Sequence, residues 1–191
     1  MEDPAQEIPH VIRSLTQTPP SIQHATIEKY FTKDASFTHP FCRTGSFYIN
    51  ETVHSRNAIV GVYRWYKIMS PTIELRVDSV AFDKPSLLLY AHISQSFRIW
   101  IIPFYNAHVS LVTVLQLVQD KKSSKYLITS QNDLYQVNEF VKFFWFGGWL
   151  VVGLWQILAA GVCAVAALVL WPLTWVEENW AREGWRGIGQ G

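Results

Sequence analysis

The sequence predicts an α+β domain, helices followed by a curved antiparallel sheet, with a transmembrane helix at its C-terminal end. Three observations predict it. Apolar positions recur at helical spacing through residues 1–70, and four stretches between residues 73 and 132 read as strands, alternating or densely apolar. Residues 143–176 then run without one charged side chain, bracketed by Lys142 and Glu177.

Residues 3–17 place Ile8, Val11, Ile12 and Leu15 on one helical side, with Pro9 in the first turns, where proline is tolerable. Thr18-Pro19-Pro20 is a helix start, a capping hydroxyl followed by proline. From Ser21, Ile22, Ala25, Ile27, Tyr30 and Phe31 give a second helix its apolar side. Residues 35–39 are extended, because the residue before Pro40 avoids the helical region. After a loop or short strand at 43–51, Ser55 caps a third helix with Ala58, Val62, Trp65, Tyr66 and Met69 at helical spacing, stopped by Ser70-Pro71.

The period then changes to two. Ile73, Leu75 and Val77 alternate with Glu74, Arg76 and Asp78, a strand with one wet face. A turn at 83–86 leads to residues 87–97, with Leu87, Leu89, Ala91, Ile93 and Phe97 on one side and Tyr90, His92, Ser94 and Ser96 on the other. Residues 109–118 are densely apolar, as in a strand covered on both faces, and 125–132 return after the polar turn 120–124. Residues 133–141 lack glycine and proline and can be helical, so the domain should sit close to whatever the apolar run enters.

That run would reach roughly 50 Å as a helix, against about 30 Å of bilayer hydrocarbon. Trp145 and Trp149 lie near one end, and Trp171, Trp175, Trp180 and Trp185 near the other, as interfacial aromatic belts do. Trp149, Leu154, Leu158, Val162, Leu168 and Trp171 are the expected lipid contacts. Gly147, Gly148, Gly153 and Gly161 keep a hairpin insertion open as the alternative to one crossing. Lys125 and Lys142 upstream nearly balance Arg182 and Arg186 downstream, so charge does not orient the segment. The acidic start Met1-Glu2-Asp3-Pro4 is no secretory signal, which predicts a tail anchor with a cytosolic domain on the endoplasmic reticulum or another endomembrane.

A formal net charge of +1 and the lack of a basic run exclude nucleic acid as a partner. Cys42 lies in the polar part and Cys163 in the apolar run, which fits a reducing compartment. No phosphate loop, no Gly-x-Ser-x-Gly elbow and no zinc spacing occurs, so neither a cofactor nor a metal is expected. Asn50-Glu51-Thr52 matches a glycosylation acceptor and supplies a test of topology.

Residues 29–40, KYFTKDASFTHP, resemble the passage from helix into first strand of nuclear transport factor 2-like proteins. The third helix, the long strands and Ile128-Thr129-Ser130-Gln131-Asn132-Asp133 fit the same cone-shaped fold, and the apolar tail makes the chain most similar to the fungal SigF-like group. The resemblance covers roughly residues 20–144 and implies a conical cavity suited to a small apolar ligand. It implies no single reaction, because that superfamily holds isomerases, cyclases, dehydratases and catalytically silent binders. In it, acid–base members use a carboxylate or histidine base, often with a tyrosine polarising a carbonyl.

Ionisable candidates for such a role are Asp34, His39, Asp78, His92, His108 and Asp133, with His39, His92 and Asp34 the catalytic candidates retained. Tyr30, Phe37, Tyr63, Tyr66 and Tyr90 are the candidate cavity residues. His39, before Pro40, also reads as a structural residue at the strand start, and Asp133, after Asn132, as a cap or turn residue. His92 shares a side with Tyr90, Ser94 and Ser96 that faces either cavity or water.

The expected organisation is an N-terminal helical extension (1–19), the cone domain (20–142), a transmembrane segment (143–176) and a polar tail (177–191). The expected function is a membrane-anchored, non-catalytic domain that binds a small apolar ligand or a protein partner at an endomembrane surface. Its alternative is a tethered cyclase, isomerase or dehydratase acting on a hydrophobic substrate. Membrane lipid is the expected contact of the tail, and a homodimer through the sheet face is a third expectation.

Overall fold

The computed structural model describes residues 1–98, 106–121, 123–145 and 147–178. The chain divides into two compact units, Met1–Phe146 and Gly147–Gly191. In the first, helices α1 (Pro4–Gln17) and α2 (Pro20–Tyr30) run into strand β1 (Phe31–His39) and the short β2 (Cys42–Arg43). Helix α3 (Ser55–Met69) precedes β3 (Glu74–Asp83), β4 (Leu88–Phe97), β5 (Ala107–Gln119) and β6 (Tyr126–Tyr135), and a short α4 (Val137–Val141) follows.

Local chemistry accounts for the helix starts. Asp3 accepts a hydrogen bond from the Gln6 amide at 3.2 Å while Glu7 reaches back to the Asp3 amide at 2.9 Å, a reciprocal cap. On either side of Pro9, α1 turns Ile8, Val11, Ile12 and Leu15 into the core. The segment expected to be an N-terminal extension is therefore part of the domain. It is held there by Gln23 of α2, whose buried side-chain amide donates to the Leu15 carbonyl at 2.7 Å and the Tyr63 carbonyl at 3.4 Å.

The sheet order is β2-β1-β6-β5-β4-β3. Pairing is antiparallel throughout β3 to β6, as the alternation predicts, but β1 lies parallel to β6. Adjacent parallel strands need a long crossover, and the helix α3 and the β3–β5 meander supply it. Register shifts at Val77/Ser79 and Gln116/Leu117 add bulges, which bend strands and increase twist. They give the sheet the curve that the helices close over.

Strand ends differ from the periodicity in two places. β3 continues to Asp83, through the stretch with no clean alternation, because its whole length pairs with β4. β6 continues to Tyr135, so Asp133 is a mid-strand residue paired with Thr113 and not a cap or turn. The apolar run also divides: Phe143 packs on the domain against Tyr135 and Phe41, at centroid distances of 5.8 and 5.3 Å.

The second unit contains α5 (Gly148–Val169), 22 residues of mean hydropathy 2.2 and long and apolar enough to cross a membrane. Trp149, Leu154, Leu158, Val162, Leu168 and Trp171 are all exposed. The expected aromatic positions Trp180 and Trp185, the basic Arg182 and Arg186 and most of the polar tail lie outside the described residues.

Candidate functional site

Strand alternation gives the sheet two chemically distinct faces. Toward the helices point Leu89, Ala91 and Ile93 of β4, Leu111, Thr113 and Leu115 of β5, and Gln131 and Asp133 of β6, all buried. Between this face and α1 and α3 lies a cavity of about 360 Å³, walled by Ile8, Ile12, Ile93 and Leu111 and by the aromatic side chains of Phe37, Tyr63, Tyr66 and Tyr135.

On the sheet side, two hydrogen-bonded clusters break the apolar wall. The first centres on Asp133, 9 % exposed. Its Oδ1 accepts from Thr113 Oγ1 at 2.8 Å and from Gln131 Nε2 at 3.0 Å, and its Oδ2 receives a longer contact of 3.2 Å from the same amide. Gln131 Oε1 in turn accepts from the Tyr63 hydroxyl at 2.9 Å, which fixes the direction of its amide. Burial pushes the Asp133 carboxyl up from its ordinary 3.8 to about 6, against the lowering effect of the Gln131 and Thr113 hydrogen bonds.

The second group centres on Tyr135, two residues along the same face. The Phe41 amide donates to His39 Nδ1 at 3.3 Å, so the neutral ring carries its proton on Nε2, which faces the Tyr135 oxygen at 3.3 Å. Gln95 Nε2 donates to the same oxygen at 2.9 Å. With both contacts accepted by the phenol oxygen, the Tyr135 hydroxyl proton is left to be donated. Burial holds the His39 ring neutral, lowering its pKa from 6.5 to about 4, and raises the hydroxyl pKa of Tyr63, Tyr66 and Tyr135. The cavity thus offers a carboxylate acceptor and a phenol donor from alternate positions of one strand face.

The sequence candidates separate on this geometry. His39, Phe37, Tyr63 and Tyr66 line the cavity, Tyr66 with its hydroxyl 3.4 Å from Cys42 Sγ. Tyr30 is buried but not in the lining, and the Lys29 ammonium stands 4.8 Å over its ring. Asp34 is exposed on β1, Tyr90 is 38 % exposed, and neither lines the cavity. His92 is on the wet side of β4, the side its neighbours left open: its Nε2 is 2.7 Å from Ser110 Oγ and its Nδ1 3.6 Å from Asp78 Oδ2. That serine–histidine–carboxylate chain stands on an open strand face, and the Ser110 amide is already bound to Glu139 at 2.9 Å. Thr113, Gln131, Gln95 and Tyr135 are cavity residues that pattern reading did not single out; alternation carried on past Asn132 would have put Gln131, Asp133 and Tyr135 on one face. Among the described residues no group of three or more histidine, cysteine or acidic side chains is placed to hold a metal ion.

Among solved structures the chain is similar to a nuclear transport factor 2-like protein of unknown function from Exiguobacterium sp. 255-15, with a TM-score of 0.50 at 8 % identity over 69 % of this chain and 97 % of that one. A protein of the same description from Burkholderia pseudomallei K96243 gives 0.49 at 10 % identity over 70 % and 93 % of the two chains. An LEH-like epoxide hydrolase of M. tuberculosis gives 0.48 at 13 % identity over 83 % and 99 %. No curated protein matches the chain. The family model described as the SigF NTF2-like domain matches residues 1–175, through the cone and the whole of α5. The chain belongs to the SigF group of the nuclear transport factor 2-like superfamily.

Proposed function

We propose that this chain is a membrane-held domain that takes a small, largely apolar molecule into its cone at the cytosolic surface of an endomembrane. The observation that carries the reading is the apolar cavity of about 360 Å³, within the usual range of small-molecule pockets and lined by few polar groups. Hydrogen bonds to protein partners fix the orientation of most of those groups. Helix α5 supports the membrane part: 22 residues rise about 33 Å, enough for a bilayer's hydrocarbon of about 30 Å. Cys42 and Cys163 are both free, which supports a reducing compartment for the domain.

The test uses the full chain in phosphatidylcholine nanodiscs, with labelled isoleucine and leucine methyls and isobutylbenzene as probe. Saturable shifts at Ile93 and Leu111 that vanish on filling the cone with Leu75→Trp, at a half-buried position of the lining, support the reading. Methyls that never move refute it.

A second reading rests on the pairing of Tyr135 with Asp133. The free phenol proton donates to a carbonyl oxygen while the carboxylate, poised near 6, removes a proton from the adjacent carbon, leaving an enolate. Deuterium exchange next to the carbonyl of benzylacetone, above background and lost in Asp133→Asn and in Tyr135→Phe, would establish it. Background exchange in the wild type excludes it.

A further inference from the structure

We infer that the preferred occupant of the cone is a protonated apolar amine, its ammonium donating to the free side of the Asp133 carboxylate while its carbon skeleton fills the apolar wall. The inference rests on the ligand-binding reading above and names the chemistry of that ligand.

Asp133 is a carboxylate with unspent capacity. An ionised carboxylate can accept about four hydrogen bonds. Here Oδ1 takes two, and Oδ2 has only the long contact from an amide already shared with Oδ1. Among the described residues it also has no counter-charge. The polar side chains that share its cavity are neutral but for one: Thr113 from β5, Gln131 and Tyr135 from β6, Tyr63 and Tyr66 from α3, Gln95 from β4, Gln23 from α2, and His39 from β1, whose ring burial keeps uncharged. Among the described residues the one cation in the lining, Lys67 of α3, directs its ammonium to the Thr16 carbonyl at 3.5 Å. Among the described residues no cation pairs with Asp133.

Above a pH of about 6 the cone therefore holds an ionised, unpaired carboxylate in an apolar wall. Such a charge is costly until something pairs it. An anionic occupant would be repelled, and a neutral hydrocarbon would strip away its remaining solvent without replacing it. A protonated amine supplies both the donor and the charge. The surrounding rings favour the same species. Phe37 and Tyr63 stand 5.7 Å apart, and His39 lies 5.4 Å from Tyr66 and 5.1 Å from Tyr135, a cluster whose π faces attract a desolvated cation.

The experiment compares two probes of the same shape, N,N-dimethylbenzylamine and isobutylbenzene, on the full chain in zwitterionic nanodiscs, with empty discs as the partition control. Ile93 and Leu111 methyl shifts report occupancy, and the Asp133 carboxyl carbon reports its protonation. The expected result is that the amine binds at least about tenfold tighter than the hydrocarbon above pH 6, that Asp133→Asn abolishes the preference, and that bound amine keeps the carboxyl ionised to lower pH. Equal affinities, or a preference that survives Asp133→Asn, overturn the inference while saturable hydrocarbon binding leaves the cone reading standing. If neither probe moves the methyls, both fall. Should Asp133→Asn fail to fold, the wild type decides alone: the preference must collapse as the carboxyl protonates below about 6, and a pH-independent preference refutes the inference.

Discussion

Two titrations of opposite sign meet in the cone. Asp133 has a folded pKa of about 6 against 3.8 unfolded, so between those values the folded chain binds more protons and stability falls as pH rises. His39 is depressed to about 4 from 6.5, so over nearly the same window the unfolded chain binds more protons and stability rises. Each shift of a little over two units corresponds to about 3 kcal/mol. We expect them to cancel in the wild type. Urea unfolding followed by circular dichroism between about pH 4 and 6.5 should be nearly flat for the wild type, climb with pH in Asp133→Asn and decline in His39→Phe. Parallel profiles in the two variants would refute the pairing. The sequence reached only one side of this arrangement. His39, Phe37, Tyr63 and Tyr66 came from the resemblance of their local stretches, and all line the cavity. Asp133 read as a turn residue because Asn-Asp is turn chemistry, and its partner Thr113 is twenty residues away. Only strand register brings the two together, and register is not written in local pattern.

The elements that could be read were those whose period has a single cause. Ser55–Met69 is amphipathic with a clear stop, and Leu88–Phe97 alternates cleanly, so both emerge with nearly the expected bounds. The parallel β1–β6 pairing has no local signature, because strand direction depends on the path of the intervening chain. The docking of α1 is written in its apolar face, Ile8, Val11, Ile12 and Leu15, but its buried polar tie comes from the next helix. Gln23, 2 % exposed, donates to carbonyls of both α1 and α3. Gln23→Leu keeps the volume and removes both donors, leaving the Leu15 carbonyl buried at the helix end. It should destabilise the domain by about 1 to 3 kcal/mol, the usual cost of an orphaned buried acceptor. Urea midpoints of the two proteins measure it, and an unchanged midpoint would show that α1 is held by its apolar face alone.

At the scale of the whole chain, the predictions concern whether α5 enters a membrane and on which side of it the domain would then stand. Asn50 is exposed, and its side-chain oxygen accepts from the Thr52 and Val53 amides at 3.0 and 2.9 Å, leaving the amide nitrogen accessible. With the domain in the cytosol Asn50 stays unmodified, whereas a mass shift removed by a glycosidase would place it in the lumen. The anchor is tested by charge. Leu158 and Val162 lie four residues apart in the middle of α5, 60 and 61 % exposed. If lipid covers them, an arginine at either position costs about 2.5 to 3.5 kcal/mol on insertion scales, and two together cost roughly twice that. Leu158→Arg with Val162→Arg should therefore move the chain from a carbonate-resistant pellet to the soluble fraction, while Asp133→Asn should not. The conservative pair Leu158→Val and Val162→Leu should pellet as the wild type does, which separates loss of apolarity from loss of helix. A doubly charged chain that still resists carbonate would mean that the helix is not the anchor.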